Sequence, residues 1–328
     1  MKISGAIATY NRAAMVREAI AAALAQSRMP DEIVVADDAS TDGTAELLLP
    51  LAAGDPRVRL IRREKNSGGV ENWNTAMRAT RGDFIAWCSD DDRFLPGHLE
   101  AAHEYLAAHP EVGLVHSGFM DALEFAGGRS RIEPRPLRSP VPLRVGRGNL
   151  FRYLIRYYDW PFHPSTLVMR REVWEQVGPF DSAYALADTD WFVRAAEQFP
   201  VALLPRYGVL NRRHGGNWSN RVGSAQMQME IFAIVERAML RRWPKFSLPG
   251  MLWRAAWRAN VCLRLALTLR ARLRSGQSDA ACAAWQSLLR VAGRHWAWIL
   301  ERPGRLIIRR WATGVLAGER SRQSLSPL

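Results

Sequence analysis

Within the first 90 residues, apolar runs of strand length alternate with segments of helix length, and each run ends in polar or acidic residues. Ile3 to Ala8 gives way to Thr9-Tyr10-Asn11-Arg12, and Glu32-Ile33-Val34-Val35-Ala36 is stopped by Asp37-Asp38-Ala39-Ser40-Thr41-Asp42-Gly43. Val58-Arg59-Leu60-Ile61 leads to Asn66-Ser67-Gly68-Gly69, and Phe84-Ile85-Ala86-Trp87-Cys88 runs into Ser89-Asp90-Asp91-Asp92. Runs this apolar fit strands buried on both faces. Helices are expected over about Ala14 to Gln26, about Thr44 to Leu51, and from Gly68-Gly69 through Ala79. The alternation predicts an α/β fold with a doubly wound, mostly parallel sheet, Rossmann-like in its first half. Such sheets bind ligands beyond the carboxyl ends of their strands. Tyr10, Asp37, Asp38, Asn66 and Asp91 all fall at or just past those ends.

Three carboxylates after a buried strand repel one another unless a cation sits among them. A hard divalent ion that also takes phosphate oxygens fits such a cluster. The plain alternative is an acidic turn capping the next helix.

Further along, residues 120–150 are rich in glycine and proline, with Gly127-Gly128, Pro134, Pro136, Pro140 and Pro142. They read as a connection or flap. Pro164-Ser165-Thr166-Leu167-Val168-Met169 reads as a strand and Arg171 to Val177 as a helix closed by Gly178-Pro179. Leu186-Ala187-Asp188-Thr189-Asp190 reads as a loop running into a helix from Trp191 to Gln198. Val201 to Leu204 is another strand, followed by an irregular segment, Arg212-Arg213-His214-Gly215-Gly216-Asn217-Trp218-Ser219.

The net charge of +13 lies at one end of the chain. Residues 241–328 hold 17 Arg or Lys against Asp279, Glu301 and Glu319, a net of +14, whereas residues 1–240 carry a net of −1. The division predicts two parts, 1–225 and 226–328, the second helical, basic and rich in tryptophan (Trp243, Trp253, Trp257, Trp296). Arginines alternate there with apolar residues, at Arg254, Arg258, Arg264, Arg305, Arg309 and Arg310. That mixture suits either a helix lying at an anionic membrane surface or a bundle that contacts a second copy. Nucleic acid is not the expected partner. Cys88, Cys262 and Cys282 are too scattered for a disulfide framework or a metal-ligand spacing, which fits a reducing, cytoplasmic compartment. No secretory signal and no membrane-spanning run is expected, leaving peripheral contact with the inner face of the cytoplasmic membrane.

The order of motifs is that of a known family. Ala8-Thr9-Tyr10-Asn11-Arg12 resembles the P-T-Y-N-R opening of the inverting family 2 glycosyltransferases, and Asp37-Asp38-Ala39-Ser40-Thr41-Asp42 resembles their D-D-x-S-x-D. Asn66-Ser67-Gly68 is similar to N-x-G, Ser89-Asp90-Asp91 stands at the D-x-D position, and Phe94-Leu95-Pro96 is similar to W-L-P. Ala187-Asp188-Thr189-Asp190 resembles E-D-x-D, and Arg213 to Ser219 a late R-x-H-x-x-S segment. The resemblance covers about residues 1–220. Three positions depart from it: Ala8 for proline, Ser89 for the first aspartate of D-x-D, and Ala187 for glutamate.

The resemblance implies a GT-A fold with a helical C-terminal extension. It also implies transfer of a sugar from a nucleotide donor, expected to be UDP-linked, to a saccharide or polyprenyl-linked acceptor. The setting it implies is bacterial surface polysaccharide synthesis. In that reading Ala8, Thr9 and Tyr10 meet the nucleotide, with Tyr10 stacked on the base. Asp38 accepts the N3–H of uracil, and Asn66 and Gly68 let the backbone approach. Asp90 and Asp91 hold Mn²⁺ or Mg²⁺ at the diphosphate, with His214 as a late metal ligand or phosphate donor. Asp188 is the general base, its pKa raised by neighbouring Asp190. Trp160, His163 and Asp190 face the acceptor. Caps and turns explain several of these residues separately, Asp188 as a helix N-cap among them. The substitutions Ser89 and Ala187 leave a second possibility open, a degenerate binding or scaffolding subunit. A dinucleotide-binding dehydrogenase needs G-x-G-x-x-G after the first strand and a sugar-phosphate nucleotidyltransferase a glycine-rich loop there; Ala8 to Arg12 has no glycine.

Overall fold

The apolar run at the N-terminus forms β1 (Ile3–Thr9), buried along nearly its whole length because strands flank it on both sides. In the computed structural model β2 (Glu32–Asp37) and β4 (Phe84–Ser89) pair with it in parallel, and β3 (Val58–Arg62) extends the sheet beyond β2. The structure describes residues 1–124, 130–135, 137, 143–146, 163–217, 224–243, 247–275, 279–288 and 290–291. Gly127, Gly128, Pro136, Pro140, Pro142, Trp160, Trp218, Ser219, Trp296, Arg305, Arg309 and Arg310 lie outside them. The described chain forms two units, Met1–Asn217 and Trp218–Leu328.

In the first unit the connecting helices are α1 (Ala13–Leu24), α2 (Thr44–Gly54) and α3 (Gly69–Ala79). Val16, Ile20 and Leu48 are buried with Ile7, Ile33 and Phe84 in one apolar core. Register places Thr9 opposite Asp37 and Ala8 opposite Ser89, so three strands end on a common edge. Beyond β4 come β5 (Arg93–Phe94), α4 (His98–Ala108), β6 (Leu114–Glu124), β7 (Ser130–Pro134) and β8 (Leu143–Val145). They are followed by β9 (Leu167–Arg170), α5 (Arg171–Val177), α6 (Ala187–Gln198) and β10 (Val201–Arg213). The sheet runs β3-β2-β1-β4-β9-β6-β10-β5, with β7 on β6 and β8 on β10. Strand β9 is antiparallel to both its neighbours, whereas β6 and β10 are parallel to each other.

Three local expectations change. Pro164–Thr166 is a 3-10 turn that precedes β9, not part of the strand, because Pro164 has no N–H to give a ladder. Helix α6 begins at Ala187, four residues earlier than read from the sequence, so Asp188 and Asp190 are in its first turn. Arg212 and Arg213 close the long strand β10; the irregular turn starts only at His214.

The second unit contains α7 (Ser224–Arg242) and α8 (Leu248–Arg274). Ile234, Val235, Ala238 and Met239 of α7 and Trp257, Val261 and Leu265 of α8 are buried, while Arg258 pairs with Glu236 and Gln228 donates to Thr268. Among the described residues no helix is long and apolar enough to cross a membrane.

Candidate active site at the carboxyl edge of the sheet

Two loops at the carboxyl edge hold non-glycine residues with positive φ, Asn11 at 53° and Ala39 at 60°. L-residues adopt this region at a cost, which the surrounding hydrogen bonds offset here. The Asn11 N–H donates to Ser40 Oγ at 2.8 Å, and its side-chain oxygen accepts from the Thr41 N–H at 2.8 Å. Below them the buried Asn72 amide donates to the carbonyls of Thr9 (3.1 Å) and Ala36 (2.9 Å), tying the ends of β1 and β2 together. Tyr10 projects from this edge, 45% exposed, as an open ring face.

Asp38 is placed differently from the sequence expectation. Its carboxylate is buried and accepts from the Ser67 N–H and hydroxyl and from the Gly68 N–H at 2.9–3.2 Å, with Arg63 Nε 3.5 Å away. Those three donors and the nearby Arg63 take up most of its acceptor capacity inside the protein. Asp38 is thus the brace that joins β2 to the 66–68 turn. Asn66 caps the same turn by accepting from Gly68, whose φ of 90° favours glycine. Asp37 holds the Ser40 hydroxyl; its other oxygen is buried without a hydrogen bond, 3.7 Å from Arg62 Nε.

Asp90 and Asp91 converge on a cation supplied by the chain. Arg12 Nη1 lies 2.8 Å from Asp90 Oδ1 and 2.7 Å from Asp91 Oδ2, and Arg12 Nη2 donates to the Gly216 carbonyl at 3.2 Å. Asp90 also accepts from the Thr9 hydroxyl at 2.8 Å. Burial pushes the Asp90 carboxyl up to about 6 despite Arg12. On the other side, Asp91 Oδ2 meets Asn217 Nδ2 at 3.2 Å and His214 Nε2 at 3.3 Å. Asp91 Oδ1 has no partner among the described residues.

The His214 ring is oriented by its own turn, where Nδ1 accepts from the Gly216 N–H at 3.1 Å. In a neutral imidazole that leaves the proton on Nε2, so the nitrogen facing Asp91 is a donor. This geometry suits phosphate donation better than metal ligation. Among the described residues no group of three His, Cys, Asp or Glu side chains is arranged to hold a metal by itself. Mg²⁺ and similar ions, however, bind through one or two carboxylates plus substrate phosphates. The open Asp91 Oδ1 beside Asp90 fits that mode.

Asp92 turns inward. It accepts from the Ser165 hydroxyl at 2.5 Å and the Arg212 N–H at 3.2 Å, and His163 Nδ1 is 3.5 Å away. Ser165 in turn accepts from the Ser89 N–H at 3.0 Å, which locks the strand end to the turn before β9. Asp188 accepts from the Thr189 N–H at 2.7 Å. Burial raises its pKa; Thr189 and His163 pull it back.

Asp190 does not play the part expected for it. It is buried against Arg194 Nε at 2.8 Å, and Arg194 also donates to the carbonyls of Val177 and Pro179. A neutralised carboxylate exerts little field on its neighbour, so burial, not Asp190, sets the Asp188 shift. Three contributors were not singled out in the sequence: Arg12, Ser165 and Asn217. The arginine and asparagine lie within quoted motifs; Ser165 had no signal beyond its proline neighbour.

The sequence model described as Glycosyl transferase family 2 matches residues 4–178. The chain is 31% identical to the uncharacterized glycosyltransferase YwdF of Bacillus subtilis over 237 residues, 70% of this chain and 81% of that protein. It is 42% identical over 93 residues to the succinoglycan biosynthesis protein ExoO of Rhizobium meliloti, 28% of this chain and 26% of that one. In fold it is similar to S. aureus TarS 1–349 in complex with UDP-GlcNAc (TM-score 0.65, 18% identity, 99% of this chain and 92% of that chain). It is also similar to the mannosyltransferase PcManGT of Pyrobaculum calidifontis in complex with GDP-Man and Mn²⁺ (TM-score 0.53, 20% identity, 95% and 83%).

Proposed function

The chain belongs to glycosyl transferase family 2 and has the GT-A fold, and from that premise we propose that this glycosyltransferase uses a UDP-linked sugar and inverts its anomeric carbon. The acceptor is a hydroxyl of a saccharide or polyprenyl-linked saccharide, in bacterial surface polysaccharide assembly. The observation that carries the reading is the convergence of Arg12, Asp90, Asp91 and His214 at the end of the fourth strand.

Tyr10 provides the ring face for the base, in a crevice whose floor is pinned by Asn72 and Asp38. Asp90 and Asp91 would hold Mn²⁺ or Mg²⁺, which when bound would supply Lewis-acid stabilisation of charge on the diphosphate. Arg12 and the Nε2–H of His214 add donors for the same phosphates. Asp188 takes the proton of the acceptor hydroxyl as its oxygen attacks the anomeric carbon, and the single displacement turns an α-linked donor into a β-linkage. A carboxylate kept partly out of water, with its pKa raised, is a better base than an exposed one. TarS bound to UDP-GlcNAc and PcManGT bound to GDP-Man with Mn²⁺ support a nucleotide-sugar donor and a divalent ion; ExoO supports the polysaccharide setting.

The test is a screen of UDP-sugars against candidate acceptors, measuring UDP release with and without Mn²⁺, followed by NMR of the product's anomeric proton. Metal-dependent release with a β-linked product is expected. Nucleotide binding without turnover on any donor would favour a scaffolding subunit instead.

A further inference from the structure

Helix α8 (Leu248–Arg274) contains six arginines and no Asp or Glu. Its inner side is accounted for by Trp257, Val261 and Leu265, which are buried in the second unit. Its outer side is unusual. Leu248, Leu252, Ala255, Ala259, Leu263 and Leu267 recur at helical spacing, and the four leucines are 69%, 63%, 50% and 55% exposed. Arg270 and Arg274 continue the same stripe and are also exposed. The apolar part runs for about 30 Å at the helical rise. Exposed apolar stripes of that length mark a docking surface.

We propose that this face of α8 lies on a layer of anionic lipid headgroups. Charge complementarity selects this occupant over a second copy of the chain. A second copy of this face offers no acid to meet Arg270 and Arg274, whereas anionic headgroups supply the missing charge. The leucines enter the boundary of the acyl region while the guanidinium groups of Arg270 and Arg274 pair with phosphates, as in helices that lie in the interface plane. A nucleic acid would satisfy the arginines but leave the leucines in water. The inference rests on α8 alone and stands whether or not the donor proposed above is the right one.

The experiment is flotation of the full chain with vesicles of phosphatidylcholine alone and of phosphatidylcholine mixed with phosphatidylglycerol. The chain is expected to float with the mixed vesicles, to stay behind with the neutral ones, and to be released at about 0.5 M salt. The double variant Leu263→Glu, Leu267→Glu should lower the bound fraction at least about tenfold, since each change puts a charge where a leucine entered the lipid. Both side chains are exposed, so the variant's thermal melt and nucleotide binding should match those of the unaltered chain. Equal binding to neutral vesicles, no binding to either, or unchanged binding by the variant would overturn the proposal. So would sedimentation showing a dimer that the double variant dissociates.

Discussion

Asp38 shows how a motif residue can be found correctly and its contacts still lie elsewhere. The pair Asp37-Asp38 is visible in the sequence, but which oxygen faces the crevice depends on the 66–68 turn, which is 29 residues away. Asp38→Ala removes the acceptor of two backbone N–H groups and should lower stability by about 2 kcal/mol. A thermal melt checks this, and an unchanged melting temperature would mean the turn is held by something else. The pH dependence belongs to Asp90. Its pKa is raised to about 6, chiefly by burial, so the folded protein takes up a proton between the ordinary aspartate range and pH 6. Its contribution to stability therefore falls as pH rises through that window, the reverse of a salt-bridged aspartate with a depressed pKa. A cation must displace the same proton, so the Mn²⁺-dependent gain in UDP affinity should shrink as pH drops below about 6, by up to about tenfold per unit. Calorimetric titrations across that range decide it; a flat response would mean that Asp90 is already ionised.

At the scale of elements, α6 is the piece whose position matters most, because it carries Asp188. It is fixed from two sides. Trp191 packs against Trp174 and Phe180, with ring centroids 6.0 and 5.6 Å away, and Phe180 exchanges two hydrogen bonds with the Asn74 side chain on α3. Arg194 neutralises the buried Asp190 and holds the 177–179 turn. Arg194→Met should therefore cost about 3 kcal/mol, the order expected when a buried pair loses one partner. Chemical denaturation gives the value, and restoration by the double change Asp190→Leu, Arg194→Met would identify the stranded carboxylate as the cause. Parallel strands β1 to β4 were legible because each is built on a short apolar run, broken in β3 only by Arg59. The start of α6 was not, since Asp-Thr-Asp reads equally as a loop or as a first helical turn that favours acids. The short β5 leaves almost no periodicity to read, and its place is set by pairing with β10.

For the molecule as a whole, the sequence divides by charge and the fold divides into two units. The first unit could be read as a doubly wound parallel sheet from its alternation alone; its chemistry became legible only through the order of its motifs. What could not be read was the joining of distant segments: Arg12 to Asp91 and Gly216, Ser165 to Asp92 and Ser89, and His163 to Asp92. These contacts follow from strand order, and β9 reaches the middle of the sheet only because it runs antiparallel between β4 and β6. The central claim is that residues near 90 hold the diphosphate while a residue near 190 activates the acceptor. The most direct measurement compares Asp188→Asn with the unaltered chain in two assays, sugar transfer at saturating substrates and UDP affinity in Mn²⁺. The account predicts a kcat lowered about 10²–10⁴-fold with UDP affinity kept within a few-fold. Equal loss in both assays, or transfer at the original rate, would contradict it.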